Sequence, residues 1–558
     1  MIARSEVIAS LRDNPCVSVL ILGGGINGVG LLRELALQGI DCLLVDKGDF
    51  ASGASSKSSR MIHGGLRYLE TGEAALVRES LTERNRLLAN APHFVAPLKT
   101  TIPMFSYWGG LWRSLMILLG AKVRPGARGV LPVKIGLSFY DWVTSASRRT
   151  PRHFFSSRAD TLAQMPGLRD DIIGAANYWD AWITQAERLC IELIEQAGSI
   201  CPSARALNYV RLAGTDGLTV QLEEVDTGRQ LLVEPQLVVN ATGGWVDITN
   251  RELGLDTHYM GGTKGSHLVV DNAELLAALG DRMVYYQHTD GRVCIAFPFL
   301  GKVIMGSTDI RCDNPDEAAC DEDEVAYMLD TLRGAMPGIE VTREQVVYRF
   351  CGVRPLPAAD GQVLANVSRG HAVRLDAANE ERAFPVYSLV GGKWTTFRAF
   401  AEQVADRLLT YLQAQRLNDT KDLPIGGGEG YPADDEARAQ WVADVAARTP
   451  VSAARAETLL ARYGLWAEDY LMDVTTAAEQ PLAHLPGYSV GEIRHIARHE
   501  AVVHLDDLVL RRSVIGLLGE ATPAAIDELA ELVGEALGWP ADRRAEEARR
   551  CREAVGRG

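Results

Sequence analysis

Residues 17–22, VSVLIL, are a mostly aliphatic run, and residues 23–28, GGGING, end it abruptly. An apolar run of this kind closed by glycine predicts a strand buried on both faces. The period then changes. Val29, Leu31, Leu32, Leu35, Ala36 and Leu37 recur at helical spacing, and Gly39 closes that helix. A second apolar strand, Cys42–Val45, follows and ends in Asp46. Strand, helix and strand in this order predict a parallel βαβ unit.

Helical spacing returns over residues 73–90, where Ala74, Leu76, Val77, Leu81, Leu87 and Leu88 lie on one side and the charges form a solvated face. Residues 205–239 predict hairpins, with strands at Leu218–Leu222 and Leu231–Val233, leading into the aliphatic Leu237–Val239. Residues 260–310 are strand-rich (SHLVV, MVYYQHTDGRVCIAFPF, GKVIMGSTD), with a hairpin turn at Thr289–Arg292. They predict a largely antiparallel sheet, a second domain suited to holding a substrate. A helix is predicted over 322–335. A strand over Tyr387–Val390 then runs through glycines into a helix from Phe397 to Leu412. Residues 414–432, with Pro424, Gly426–Gly428, Gly430 and Pro432, have the composition of a linker. Beyond it the pattern is helical. Thr522-Pro523 is a cap followed by proline at the first helical position, and Ile526, Leu529, Leu532, Val533 and Leu537 repeat behind it.

With 558 residues the chain exceeds one core, so two or three domains are expected. A net charge of −15 argues against nucleic acid as the general partner. The nine cysteines are odd in number, scattered and without a C-x-x-C pair, which suits a reducing compartment and excludes a zinc or iron–sulfur ligand run. No metal site is expected. The N-terminal MIARSEVIASLRDNP lacks the apolar core of a signal peptide, and no uninterrupted apolar run is long enough to span a bilayer.

Residues 99–152 differ from the rest of this acidic chain. Lys99, Arg113, Lys122, Arg124, Arg128, Lys134, Arg148, Arg149 and Arg152 face a single acid, Asp141, and are interleaved with Trp108, Trp112, Phe139, Tyr140 and Trp142. A basic, tryptophan-bearing apolar segment suits contact with a membrane surface; the same pattern also suits a core or dimer-interface helix pair.

Gly23, Gly25 and Gly28 form G-x-G-x-x-G between strand and helix, with Ile26 and Asn27 inside it. These glycines allow a tight turn, close approach of a pyrophosphate, and helix–strand packing. The helix N-terminus behind them favours the phosphates. Asp46, 18 positions after Gly28, suits a ribose hydroxyl. The loop after it, with Lys47, Ser55, Ser56 and Ser59, has the small and hydroxylated residues of a phosphate contact, and His63-Gly64-Gly65-Leu66-Arg67-Tyr68 adds a titratable ring, a guanidinium and a phenol. Two further glycine junctions follow strands, Ala241-Thr242-Gly243-Gly244 and Gly391-Gly392-Lys393-Trp394-Thr395. Three junctions returning to one site suit a permanently held FAD better than an exchanging nicotinamide. Arg67, Arg354, Arg369 and Lys393 are the cations in or beside these motifs, and arginine grips phosphate or carboxylate with a bidentate fork.

GGGINGVG, SSKSSRMIHGGLRYLE, VNATGGWV, TKGSH, GSTD, GVRPL and GGKWTTFR together resemble the motif series of the FAD-dependent, quinone-linked glycerol-3-phosphate dehydrogenases, and HEAVVHLDDLVLRRS resembles their C-terminal helical domain. The resemblance covers most of residues 17–412 and again 495–516. It implies a flavin fold, monotopic attachment on the cytoplasmic side of the inner membrane, and oxidation of sn-glycerol 3-phosphate to dihydroxyacetone phosphate. Hydride would pass to flavin N5 and electrons to a quinone. By motif match Arg67 and Tyr68 would line the substrate site, and Arg354, Arg369 and Lys393 would hold substrate and phosphate. His63 is the candidate base, since its ordinary pKa near 6.5 suits the role; packing against the flavin is the alternative. Arg354 stays protonated, so it and Lys393 better suit stabilising an alkoxide.

One stretch departs from the family pattern. Tyr178-Trp179-Asp180 is present, but Thr184, Gln185, Ala186 and Glu187 follow where the family carries paired aspartates and Ala-Arg. That stretch leaves a dehydrogenase of another polyol phosphate, such as erythritol phosphate, as an alternative; an oxidase using O2 and a non-catalytic flavin protein are the other readings, the last disfavoured by the intact cationic motif residues. A homodimer is also open. The expected architecture is α/β plus α+β. A Rossmann-like FAD-binding domain occupies 1–98 and 153–250, with the membrane-facing segment 99–152 between its parts. A substrate domain spans 251–350, a return segment 351–413 and a linker 414–432, and a helical domain spans 433–558.

Overall fold

The structure is a computed structural model describing residues 4–69, 72–109, 129–288, 291–358, 370–472 and 474–557. Arg369, the Thr289–Asp290 half of the predicted turn, and residues 110–128 of the basic segment lie outside the described residues, as does the side chain of Arg67.

Two sheets carry the architecture, and a helical domain packs beside them. In the first sheet the strands Val386–Gly391, Gln230–Asn240, Cys16–Leu22, Cys42–Val45 and Ala204–Leu207 lie side by side and parallel. The strand His371–Asp376 adds an antiparallel edge. A hairpin, Val210–Asp216 and Thr219–Glu224, pairs with the first half of Gln230–Asn240. Helices Ile26–Ala36, Ala186–Ile200 and Phe397–Tyr411 share one core with this sheet, which is why its central strands are mostly apolar and buried. Gly30 lets two of these helices meet, since a Cβ there would lie 2.8 Å from the Phe397 ring. The N-terminal helix Arg4–Asp13 joins a second core with Val17, Leu20 and the hairpin through Val7, Ile8 and Leu11.

The second sheet runs Thr263–Val270, Lys302–Gly306, Val293–Phe299, Arg282–Gln287, Val95–Met104, Gly174–Ile183 and Met61–Ile62, with Val346–Arg354 on the other edge of Thr263–Val270. Its pairings are antiparallel except Arg282–Gln287 with Val95–Met104. The stretches 1–98 and 153–250, read from the sequence as one FAD-binding unit, are thus divided between the sheets. Lys99 likewise sits within a sheet strand rather than in a separate segment. Val95 pairs with Ile183 and the ladder runs unbroken to Met104 and Gly174. Alternation within a strand shows which face is apolar, but not which sheet the strand joins.

Residues 414–432 are packed rather than free. Arg33 donates to the Pro424 carbonyl at 2.8 Å, the Ile425 amide donates to the Asn90 carbonyl at 2.8 Å, and Gly426–Gly428 are buried. A Cβ on Gly427 would lie 1.9 Å from the Tyr463 carbonyl oxygen, so glycine here serves close packing. The helices Ala453–Tyr463, Val490–His499, Pro523–Leu537 and Ala541–Arg557 then enclose a core of their own. Thr522 caps Pro523–Leu537 by accepting the Ala525 amide at 3.2 Å.

Candidate active site at the junction of the two sheets

The three glycine junctions lie together because their strands end level. Leu22 is opposite Asn240, and Asn240 opposite Ser388. Gly23 has φ +106°, and a Cβ there would stand 2.7 Å from the Ala241 carbonyl oxygen. At Gly28 a Cβ would stand 1.9 Å from the Gly23 carbonyl oxygen, so helix and turn touch backbone to backbone. Asn27 lies at the helix start with its Oδ1 buried and without a hydrogen-bond partner. Its Nδ2 is 3.1 Å from where Gly392 would place a Cβ, and Gly391 and Gly392 both have positive φ, as has Gly243. Ser55 closes the set: its Oγ accepts the Ile26 amide at 2.8 Å, and its carbonyl accepts from the Trp394 indole at 3.1 Å. Gly25 faces the same hydroxyl.

Asp46 Oδ2 accepts from Gly24 N at 2.7 Å and Oδ1 from Gly48 N at 2.8 Å. Burial raises its carboxyl to about 6, against the lowering effect of those two amides. Lys47 points elsewhere, pairing with Asp316 at 3.0 Å and lying over the Trp245 ring. The Ser56 hydroxyl turns back to the Gly53 carbonyl, and Ser59 is half-buried in the same loop. Glycines without room for a side chain, an orphaned amide oxygen and a buried acid fit a dinucleotide.

A second group forms where residues 61–69 meet 391–396. The His63 amide donates to Thr395 Oγ1 at 3.2 Å, and the Gly64 amide to Asp180 Oδ1 at 3.0 Å. Gly64 must lack a Cβ, which would lie 2.4 Å from Leu81. Gly65, at φ +76°, leads into the turn Leu66–Leu69. Lys393 Nζ sits 3.7 Å from the Tyr68 ring centroid and 3.1 Å from Ser80 Oγ. The His63 and Tyr68 rings are 6.2 Å apart. So His63, Tyr68 and Lys393 are brought together, with the Arg67 backbone in the same turn. Beyond them a cavity of about 660 Å³ opens between helix Ala74–Asn90 and helix Phe397–Tyr411, lined by Arg78, Glu79 and Phe139 among others.

Asp180 has a structural task, holding Gly64 and Arg84. In the divergent stretch, Glu187 grips Arg60, Nη1 to Oε2 at 2.8 Å, and the Thr184 amide bonds the Phe94 carbonyl. Glu187 and Thr184 thus make internal packing contacts.

The second sheet contributes Arg354, whose register partner is Thr263. Its guanidinium donates to Asp309 Oδ1 at 2.8 Å, Ser307 Oγ at 3.0 Å and the Thr308 carbonyl at 3.0 Å. Gly265 provides the space, since a Cβ there would lie 2.2 Å from Nη2. Beside it is a residue that sequence reasoning passed over within TKGSH. His267 is 3% exposed, stacks on Phe350 at 5.1 Å, and has no hydrogen-bond partner on either ring nitrogen. Burial, then the charges of Arg354 and Arg60, push its imidazole down to about 3, so the ring is neutral. A histidine leading into the apolar end of a strand, SHLVV, was the available signal. Two close packings join this sheet to the cofactor junctions: a Cβ on Gly352 would be 2.5 Å from Lys57 Cβ, and one on Gly244 would be 3.4 Å from Val353.

Comparison with known proteins agrees with this layout. A family described as FAD dependent oxidoreductase matches residues 18–407, and one described as the C-terminal domain of alpha-glycerophosphate oxidase matches 418–544. A glycerol-3-phosphate dehydrogenase of Synechocystis sp. is 31% identical over 94% of this chain and 94% of its own. An aerobic glycerol-3-phosphate dehydrogenase of Staphylococcus haemolyticus is 27% identical over 95% of this chain and 93% of its own. The crystal structure of a glycerol-3-phosphate dehydrogenase from Bacillus halodurans, complexed with FAD, superposes with a TM-score of 0.77 at 21% identity, covering 100% of this chain and 97% of that one.

Proposed function

The chain belongs to the FAD-dependent glycerol-3-phosphate dehydrogenase family, and from that premise we propose that it oxidises sn-glycerol 3-phosphate to dihydroxyacetone phosphate and passes the electrons to a membrane quinone. Its cofactor is FAD, which when bound supplies the acceptor for the substrate hydride. The observation that carries the reading is the abutment of the Arg354-bearing strand on the cofactor junctions at Gly352 and Gly244. A small anionic substrate held by that strand lies beside the flavin cradle.

Gly23, Gly25, Asn27, Gly28 and Asp46 are the residues that would hold the dinucleotide, with the 241–244 and 391–395 junctions around it. Arg354, Arg369 and Lys393 would bind the phosphate and stabilise the alkoxide formed as the hydroxyl proton leaves. Arg67 and Tyr68 would complete the wall. The proton needs an acceptor, and two imidazoles are candidates: His63, and the neutral His267. Burial is the main cause that holds His267 down; a phosphate dianion beside Arg354 would offset the smaller part that Arg354 adds, so substrate binding would raise its affinity for the proton.

Membrane attachment is supported by a cluster of exposed apolar side chains in and around the basic segment. Tyr107 is 62% exposed, Trp108 70%, Ile135 62% and Trp142 62%. Among the described residues no helix is long and apolar enough to cross a membrane, so contact would be with one surface. The cavity beside helix Ala74–Asn90 neighbours this patch, since Arg78 lies over the Trp142 ring, and it suits the approach of an electron acceptor. A second reading, an oxidase, is favoured by the C-terminal match to alpha-glycerophosphate oxidase.

Anaerobic mixing of the holoenzyme with glycerol 3-phosphate should bleach the flavin absorbance, and a quinone should restore it. No bleaching would sink the dehydrogenase. Reoxidation by air faster than by quinone, with peroxide formed, would establish the oxidase instead. The purified protein should sediment with anionic phospholipid vesicles at low salt; failure to bind at any salt would remove the membrane contact.

A further inference from the structure

At the back of the cofactor loop lies a buried cluster of charges that the reaction does not use. Asp49, three residues beyond Asp46, has a carboxylate with no solvent exposure. Four donors reach it. Arg512 Nη1 and Nη2 form a two-pronged pair at 2.8 Å each, Arg511 Nε adds a third at 2.5 Å, and Asn208 Nδ2 a fourth at 2.9 Å. Both arginines come from the C-terminal helical domain, more than 450 residues away in the chain. Together they hold the Asp49 carboxyl well below the usual carboxylate range, against the opposing effect of burial.

The arginines are themselves fixed from behind. Arg511 Nη2 donates to Asp507 at 2.7 Å and Asp506 at 3.0 Å, and Arg512 Nε to the Glu500 carbonyl at 2.7 Å. Glu500 is in turn gripped by Arg188 from helix Ala186–Ile200, at 2.7 and 3.0 Å. Residues Leu508–Arg512 form a π-helical turn, a widened geometry that recurs at functional sites. Leu510 and Leu517 of the same region pack with Tyr348 and Phe350, the ring on which His267 stacks.

From Asp49 the path to the cofactor is short. The Ser52 amide bonds the Asp49 carbonyl at 3.2 Å. Ala51, at φ +62°, donates its amide to the Gly24 carbonyl at 2.9 Å, within the glycine turn. Ser55 then caps Ile26. Alanine rarely holds a left-handed backbone unless its surroundings impose it. A buried ion pair adds little net stability, because desolvation offsets its attraction. What this one can supply is position.

We propose that Arg511 and Arg512 are positioning residues of the FAD site. Through Asp49 the C-terminal helical domain fixes the loop 46–56 against the glycine turn, so that cofactor retention depends on a domain that carries none of the cofactor motifs. This rests on the reading of residues 23–28 and 46–56 as the FAD cradle.

The test is FAD affinity of the full chain, from reconstitution of the apoprotein followed by flavin fluorescence, with thermal stability measured in parallel. Arg512→Met should weaken FAD binding by about tenfold or more. Arg512→Lys, which keeps the charge but not the fork, should fold and lie between. Leu529→Ala cuts a fully buried side chain, one that makes no hydrogen bond to the loop, from the core of the helical domain. It should lower stability while leaving FAD affinity within about twofold of the parent. Affinity that tracks stability alike in Arg512→Lys and Leu529→Ala, or an unchanged affinity in Arg512→Met, would overturn the proposal. Asp46→Asn separates the two readings. If it too leaves FAD binding intact, the cradle assignment is what has failed; if only Asp46→Asn weakens binding, the cradle stands and the arginines do not serve it.

Discussion

In the parallel sheet the site is made of backbone: three strands end level, and glycines at 23, 28 and 391–392 leave no room for a Cβ or adopt positive φ. In the antiparallel sheet the proposed substrate side is made of side chains, Arg354 and His267, presented by neighbouring strands and made room for by Gly265 and Gly306. The difference is one of tolerance. A backbone-built cradle fails when any atom is added. A side-chain site can lose its chemistry while the fold stands.

The sharpest way to break that contrast is Gly28→Val. The added Cβ would meet the Gly23 carbonyl oxygen at 1.9 Å, backbone against backbone, with nothing flexible to yield. Purified protein should be cofactor-free and depleted in folded material; a yellow, stable Gly28→Val protein would mean that helix Ile26–Ala36 can move from the turn. Arg354→Ala should act on catalysis alone. We expect kcat/KM for glycerol 3-phosphate to fall roughly a hundredfold, with flavin content and melting temperature near the parent's. Near-normal kinetics would take Arg354 out of the substrate site.

The smallest effect expected is on acid stability. The folded-state imidazole of His267 lies at about 3, below its unfolded value of 6.5. The unfolded chain therefore takes up a proton that the folded chain refuses, and stability is lost as pH falls from 6.5 towards 3. Between pH 7 and pH 5 this costs the parent about 2 kcal/mol. In urea unfolding of the apoprotein, His267→Gln should show a correspondingly shallower decline over that range. An equal decline in both would mean that water reaches the ring. Comparing the pH–rate profiles of His267→Gln and His63→Gln should also assign the base, since only its loss removes the acid limb.

Much of the parallel half was legible in the sequence because its requirements are local. VSVLIL, the spaced glycines and Asp46 lie within thirty consecutive residues, and each demand, a turn, a helix start or a buried strand, falls on its neighbours. The antiparallel half was legible only as alternation. Nothing near Val95–Met104 or Gly174–Ile183 says that they leave the cofactor sheet, and nothing near His267 says that Arg354 will face it. Those follow from register across long separations. Residues 414–432 show the same limit, since composition cannot tell a loose connection from one laced onto Arg33 and Asn90.

By itself the sequence pointed to FAD as the cofactor and singled out the glycine turn at Gly23, Gly25 and Gly28 and two further glycine junctions, which the fold brings together at level strand ends. The tertiary structure alone decided which sheet each strand serves, that the charge of Arg354 reaches His267, that Glu187 holds Arg60 and Thr184 the Phe94 carbonyl, and that Asp49 is held by arginines from the far end of the chain. The reason is physical. Glycine geometry is dictated by adjacent backbone, whereas ion pairs and strand registers are settled by chain segments that meet only after folding.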